Sequence, residues 1–142
     1  MKKTMQKTLS LALVVLCLLG LAACGKTVEE TGLWKDAIYA EDTTLGSGEK
    51  TVVVEVKAED KTVTFTLKTD KTTVGDALLE HDLIAGEEGD YGLYIQSVNG
   101  MVADYDKDKS YWAFYIDGEY AMSSVDTTEI DEAAVYRLEH AK

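Results

Sequence analysis

Thirteen residues, Ser110 to Met122 (SYWAFYIDGEYAM), carry five aromatic side chains around an Asp117-Gly118 pair, in a chain that is 8% aromatic overall. Asp-Gly between two apolar runs is a hairpin signal, because a two-residue turn of this kind needs φ > 0 at both central positions. Such a turn pairs Ile116 with Glu119, Tyr115 with Tyr120, Ala113 with Met122 and Tyr111 with Ser124. Side chains alternate across a strand, so parity divides the hairpin into two faces. Trp112, Phe114 and Ile116 share the more apolar face, which is assigned to the core. Tyr111, Tyr115, Tyr120 and Met122 share the other. A tyrosine joins a rigid ring to a polar tip, so this second face is suited to stacking on a small ligand and hydrogen-bonding to it. Two alternatives stay open. A tyrosine row across a hairpin can serve only to stabilise strand pairing, and the faces can be reversed, with Trp112 outward. Tyr94, in the strand-like run LYIQSV, can join the tyrosine face, and the Asn99-Gly100 and Asp104–Ser110 loops can frame a ligand upon it.

Other chemistry is sparse. Asp104, Asp106 and Asp108 are spaced like the start of a calcium loop, but Lys109 and Tyr115 stand where that loop wants Gly and Glu. His81 and His140 are the only histidines and lie far apart in the chain, so no zinc site of the usual kinds is expected. Ser123-Ser124 has no identifiable base, and there is no glycine-rich phosphate loop. The expectation is a binding protein, not an enzyme, with no metal and no required cofactor.

The elements that must position these residues read as follows. TVVVEVK (51–57) and KTVTFTLK (61–68) form a hairpin in which Val52, Val54, Val56, Val63, Phe65 and Leu67 line one face. Thr73 caps a helix over about 74–82, with Asp76 three residues on. Residues 91–103 contain Asn99-Gly100, a second hairpin turn, and residues 134–140 read as a closing strand. The order β-β-α-β-β-β-β, with one helix, predicts an α+β fold: a β-grasp-like mixed sheet of about six strands with the helix packed on one face.

The first residues read as an address. Lys2, Lys3 and Lys7 precede the apolar run SLALVVLCLLGLA (9–21), which is too short and too early for an ordinary membrane span. Leu21-Ala22-Ala23-Cys24 then resembles the lipobox of bacterial lipoproteins. That resemblance implies cleavage after residue 23, lipid on Cys24, and anchoring of the chain at the extracellular face of the cell membrane. A secretory signal with an incidental cysteine is the alternative. The domains expected are a signal peptide (1–23), a lipidated tether with a docking segment (24–49) and a folded domain (50–142). Cys17 is lost with the leader, so a lipidated mature chain has no thiol for a disulfide or a metal. Losing the leader's three lysines takes the net charge from −12 to about −15. A surface so acidic repels nucleic acid.

TTVGDALLEH, LYIQSVNG, YWAFYIDGEYA and the closing VYRLE together resemble the transcobalamin-like C-terminal domain, a β-grasp-like module of vitamin carriers and bacterial surface lipoproteins. The likeness covers most of the mature chain. It departs at Asp131-Glu132-Ala133-Ala134, where the family usually has a Gly-Asp turn, and at Ser124, where close relatives carry Gly. It implies a vitamin-like ligand, with cobalamin or another corrinoid as first candidate, and an uptake-transporter partner. The alternative function is a surface protein-interaction module with no small ligand.

Overall fold

Period-2 alternation of β-branched residues makes the first hairpin the spine of the molecule. A computed structural model describes residues 32–142. The leader, Cys24 and most of the tether lie outside the described residues. Strand β1 (Thr43–Gly46) runs parallel to β3 (Lys61–Thr69), and β2 (Lys50–Ala58) pairs antiparallel with β3. A helix, α1 (Val74–Glu80), follows, with Thr73 Oγ accepting the Asp76 N–H at 3.2 Å as its cap. Strands β4 (Ile84–Gly89), β5 (Gly92–Val98) and β6 (Met101–Val102) come next, then one helical turn, α2 (Tyr105–Asp108). The chain closes with β7 (Tyr111–Ile116), β8 (Glu119–Tyr120) and β9 (Val135–Ala141).

The fold is mixed α+β, as expected, but its strands make two sheets. Six form a mixed sheet in the order β1-β3-β2-β9-β7-β8, and β4-β5-β6 form a separate antiparallel sheet. The Asn99-Gly100 hairpin pairs with β4 and not with the large sheet. The apolar face this gives the small sheet (Ile95, Val98, Met101) buries in the same core as Trp112 and Phe114. Strand β4, IAGEEG, had no strand signal of its own. It pairs because Gly86 lets its backbone close on β5: a Cβ there would lie 2.0 Å from the Tyr94 carbonyl oxygen. Residues 43–46 likewise take strand form by pairing with β3.

The inner face of the large sheet carries Val52, Val54, Val56, Phe65, Leu67, Tyr136 and Leu138, all essentially inaccessible to solvent. They form one core with Val74, Ala77 and Leu78 of α1. Phe114 stacks on Tyr136 at 6.0 Å. The outer face is charged at its centre: Arg137 lies 3.5 Å from Glu55 and 3.9 Å from Glu139, and Lys57 lies 3.7 Å from Glu139.

Trp34 is buried from the N-terminal side, in a 3-10 turn over Gly32–Asp36. Its Nε1–H donates to the Ala58 carbonyl at 2.9 Å, and the Lys61 ammonium lies over its ring.

Candidate functional site

The Asp117-Gly118 turn forms as its residue types require, with φ of 50° and 83°. It pairs Tyr115 with Tyr120 and Ile116 with Glu119. The Ala121 N–H then donates to the Phe114 carbonyl, and the pairing ends. The expected Ala113–Met122 and Tyr111–Ser124 pairs do not form. The chain leaves the sheet there because Val125 is drawn into the core.

This departure opens a seam. Backbone groups alternate in direction along a strand. Phe114 points its carbonyl toward β8, and the Asp117 N–H points the other way, to Val135 of β9. By the same alternation Trp112 turns its N–H and carbonyl to the β8 side. No strand among the described residues pairs with β7 over 111–113 on that side.

The seam is a groove of about 230 Å³ between the two sheets. One wall is Leu93, Tyr94 and Ile95 of β5. The floor is Trp112 and Phe114 of β7, and the segment from Tyr120 to Val125 closes the third side. Tyr111 completes the rim. Trp112 is held in place by its Nε1–H, which donates to the Met101 carbonyl at 3.2 Å, and by the edge-on His140 ring at 5.3 Å. Burial holds His140 below the ordinary histidine pKa, against the opposing pull of Asp108. The Trp112 ring therefore rests on a neutral imidazole near pH 7.

Asp126 fixes the third wall. Its Oδ1 accepts the Leu93 N–H at 3.0 Å and the Ser124 hydroxyl, so one carboxylate ties the departing segment to the start of β5. Those two hydrogen bonds, the Leu93 amide first, hold the Asp126 carboxyl below its usual range. A carboxyl lowered on folding stabilises the fold above the unfolded aspartate pKa, and loses that contribution as pH falls through its folded value. Asp126→Ala is expected to cost about 1–2 kcal/mol at pH 7, since the carboxylate is partly exposed. The difference between the two proteins should shrink below about pH 4, as read by urea denaturation at pH 7 and pH 3.

The residues singled out from the sequence are distributed as follows. Tyr94, Tyr111, Trp112 and Tyr120 come together at the groove, although Tyr94 belongs to the second sheet and not to the tyrosine face of the first. Tyr115 packs edge-on against Tyr120 at 5.6 Å and is not among the lining residues. Met122 is 99% exposed, beyond the end of β8. Asn99 is wholly buried and away from the groove. Its carboxamide accepts the Tyr39 N–H at 2.9 Å and donates to the Tyr39 carbonyl at 2.8 Å. Cys24 lies outside the described residues. Leu93, Ser123 and Ser124 also line the groove and were not expected at a ligand site, though Leu93 lies beside Tyr94 in the same strand.

The three aspartates of the 104–108 loop do not converge. Asp104 caps α2 by accepting the Lys107 N–H, and Asp108 accepts from both the Ser110 amide and its hydroxyl. The Ser110 hydroxyl is the main cause of the lowered Asp108 pKa. Among the described residues no three His, Cys, Asp or Glu side chains gather as metal ligands would.

Residues 71–135 match the model of a family described as a domain of unknown function (DUF4430). No curated protein matches the chain. Among solved structures the chain is similar to a protein of Ruminococcus gnavus ATCC 29149 to which metal binding has been ascribed. The two are 30% identical with a TM-score of 0.62, over 66% of this chain and 98% of that one. It is also similar to haptocorrin, solved in complex with Cbi, at 18% identity and a TM-score of 0.47, over 69% of this chain and 27% of that chain. By its likeness along nearly the whole of the Ruminococcus gnavus protein, the chain belongs to that protein's family, and it carries the DUF4430 domain over residues 71–135.

Proposed function

We propose that the chain is a lipid-anchored extracellular protein that binds a small ligand at the seam between its two sheets, without catalysing a reaction. A corrinoid is the first candidate, handed on to an uptake transporter. One observation carries the reading. Three tyrosines and a tryptophan from two sheets meet at one groove, beside a strand edge whose backbone donor and acceptor at Trp112 have no strand to pair with. Aromatic faces, phenol hydroxyls and an open backbone edge suit a ligand that is apolar in its body and amide-bearing at its rim. The resemblance to the transcobalamin-like domain supports the same class.

Size sets the mode of binding. The groove is smaller than the ~300–1,000 Å³ that encloses a drug-sized ligand. A corrinoid would therefore lie across the tyrosine rim with one edge in the groove, and leave its other side for a partner. Binding by the isolated chain is accordingly modest. The metal binding ascribed to the Ruminococcus gnavus relative is not carried over, because among the described residues no three donor side chains gather.

The test is calorimetric titration of the acyl-free mature chain, Cys24→Ser, with cobinamide. Saturable binding in the micromolar range is expected, weakened about tenfold or more by Tyr111→Ala with Tyr120→Ala. Absence of heat at high micromolar protein would overturn the reading. It would leave protein docking as the alternative, favoured by the exposure of Tyr120 and Met122 next to the open strand edge.

A further inference from the structure

A larger groove, of about 440 Å³, lies on the other side of Tyr94. Its walls are Tyr94 and Gln96 of β5, Val102 of β6, and Asp104, Tyr105 and Asp106 at the start of α2. Its chemistry differs from that of the seam. Two phenol rings, each about half exposed, stand with two carboxylates, and no lysine or arginine lines it. Asp104 has one oxygen engaged by the Lys107 amide, while Asp106 and the Gln96 side chain have no partner among the described residues.

Beside the groove, the Tyr105 ring already holds one cation, from a residue that does not line it. The ammonium of Lys109 lies 4.8 Å from the centroid of the Tyr105 ring. The face of an aromatic ring draws a cation through its quadrupole. Lys109 reaches this position from a left-handed backbone conformation at the end of α2, with φ of 63°.

We propose that this groove is a binding site for a small organic cation bearing an alkylated ammonium group. The Tyr94 and Tyr105 rings take its methyl or methylene surface, Asp106 and the free oxygen of Asp104 balance its charge, and the chain's net charge of −12 raises its local concentration. Lys109 competes for the Tyr105 ring. The proposal does not rest on corrinoid binding, since only Tyr94 is common to the two grooves.

The probe is choline, set against its neutral isostere in which carbon replaces nitrogen. Both are titrated into the full chain in a non-ionic detergent and followed by tyrosine ring resonances. The expected result is saturable choline binding, about fivefold or more tighter than the isostere, and weakened by added salt. Asp106→Asn and Tyr94→Leu should each weaken choline severalfold. Lys109→Asn keeps a residue tolerant of positive φ and should tighten it. Equal binding of choline and its isostere, no shift of the Tyr94 and Tyr105 rings, or choline binding indifferent to Asp106→Asn, would overturn the proposal.

Discussion

Trp112→Ala should lower the unfolding free energy by about 3–5 kcal/mol, the usual loss for a large aromatic removed from a core. The indole is 7% exposed. Removing it leaves a cavity beneath the seam, takes the hydrogen bond from the Met101 carbonyl, and removes the ring contact with His140. Small domains are stable by only ~5–15 kcal/mol, so this variant is expected to sit near the edge of folding. Trp112→Phe retains most of the packing and loses the indole N–H, and its expected cost is about 1–2 kcal/mol. Equilibrium urea unfolding of both variants separates the two contributions. A Trp112→Ala protein within 1 kcal/mol of the parent, on this scale about the effect of an ordinary surface change, would mean that the indole does not hold the two sheets together.

Asn99→Ala should cost about 2–4 kcal/mol, a large loss for so small a truncation. Three effects coincide at this residue. Its carboxamide satisfies both backbone groups of Tyr39, across sixty positions of sequence. Its own backbone N–H reaches the Leu83 carbonyl at 2.7 Å, and its carbonyl takes the Ile38 N–H at 2.9 Å. Its φ of 51° disfavours alanine. Asn99→Gly removes the carboxamide and relieves the strain, so the difference between the two variants isolates the backbone effect at about 1 kcal/mol. Both variants should release the segment around Tyr39, whose ring packs edge-on against Phe65. Faster proteolytic cleavage near residue 40 is the accompanying sign.

Asn99 also illustrates how far the sequence could be read. Its role in a turn was legible, because Asn-Gly turn chemistry is local, and the turn is present with φ of 51° and 81°. Its part in holding Tyr39 was not, because nothing near Asn99 in sequence encodes a partner sixty residues away. The same divide runs through the fold. The parity of Trp112, Phe114 and Ile116 and the Thr73 cap depend on neighbouring residues and could be read directly. Strand β4 and the short β1 carry weak local preferences and exist through the strands beside them. The departure of the chain after Tyr120 follows from burial of Val125, a long-range effect. The groove itself joins Tyr94 to Tyr111 and Tyr120 across two sheets. Alternation predicts faces within one sheet, and cannot say that a second sheet will lean its edge against the first.

Tyr115 and Tyr120 pair across one hairpin but stand differently toward the groove. Tyr115 packs on Tyr120 from the outer face, which supports the pairing. Tyr120 also borders the groove. Tyr115→Thr is therefore expected to cost about 0.5–1 kcal/mol of stability and to leave ligand affinity nearly unchanged.

In the proposed function, Tyr94, Tyr111, Tyr120 and Trp112 act as one ligand site at the seam. Residue-specific NMR of the tyrosine rings and the Trp112 indole during cobinamide titration tests it most directly. These four resonances should shift together along a single binding curve, while Tyr39 and Tyr91, which do not line the groove, stay in place. Shifts centred on the outer face around Arg137 and Glu55, or no shift at saturating cobinamide, would contradict it.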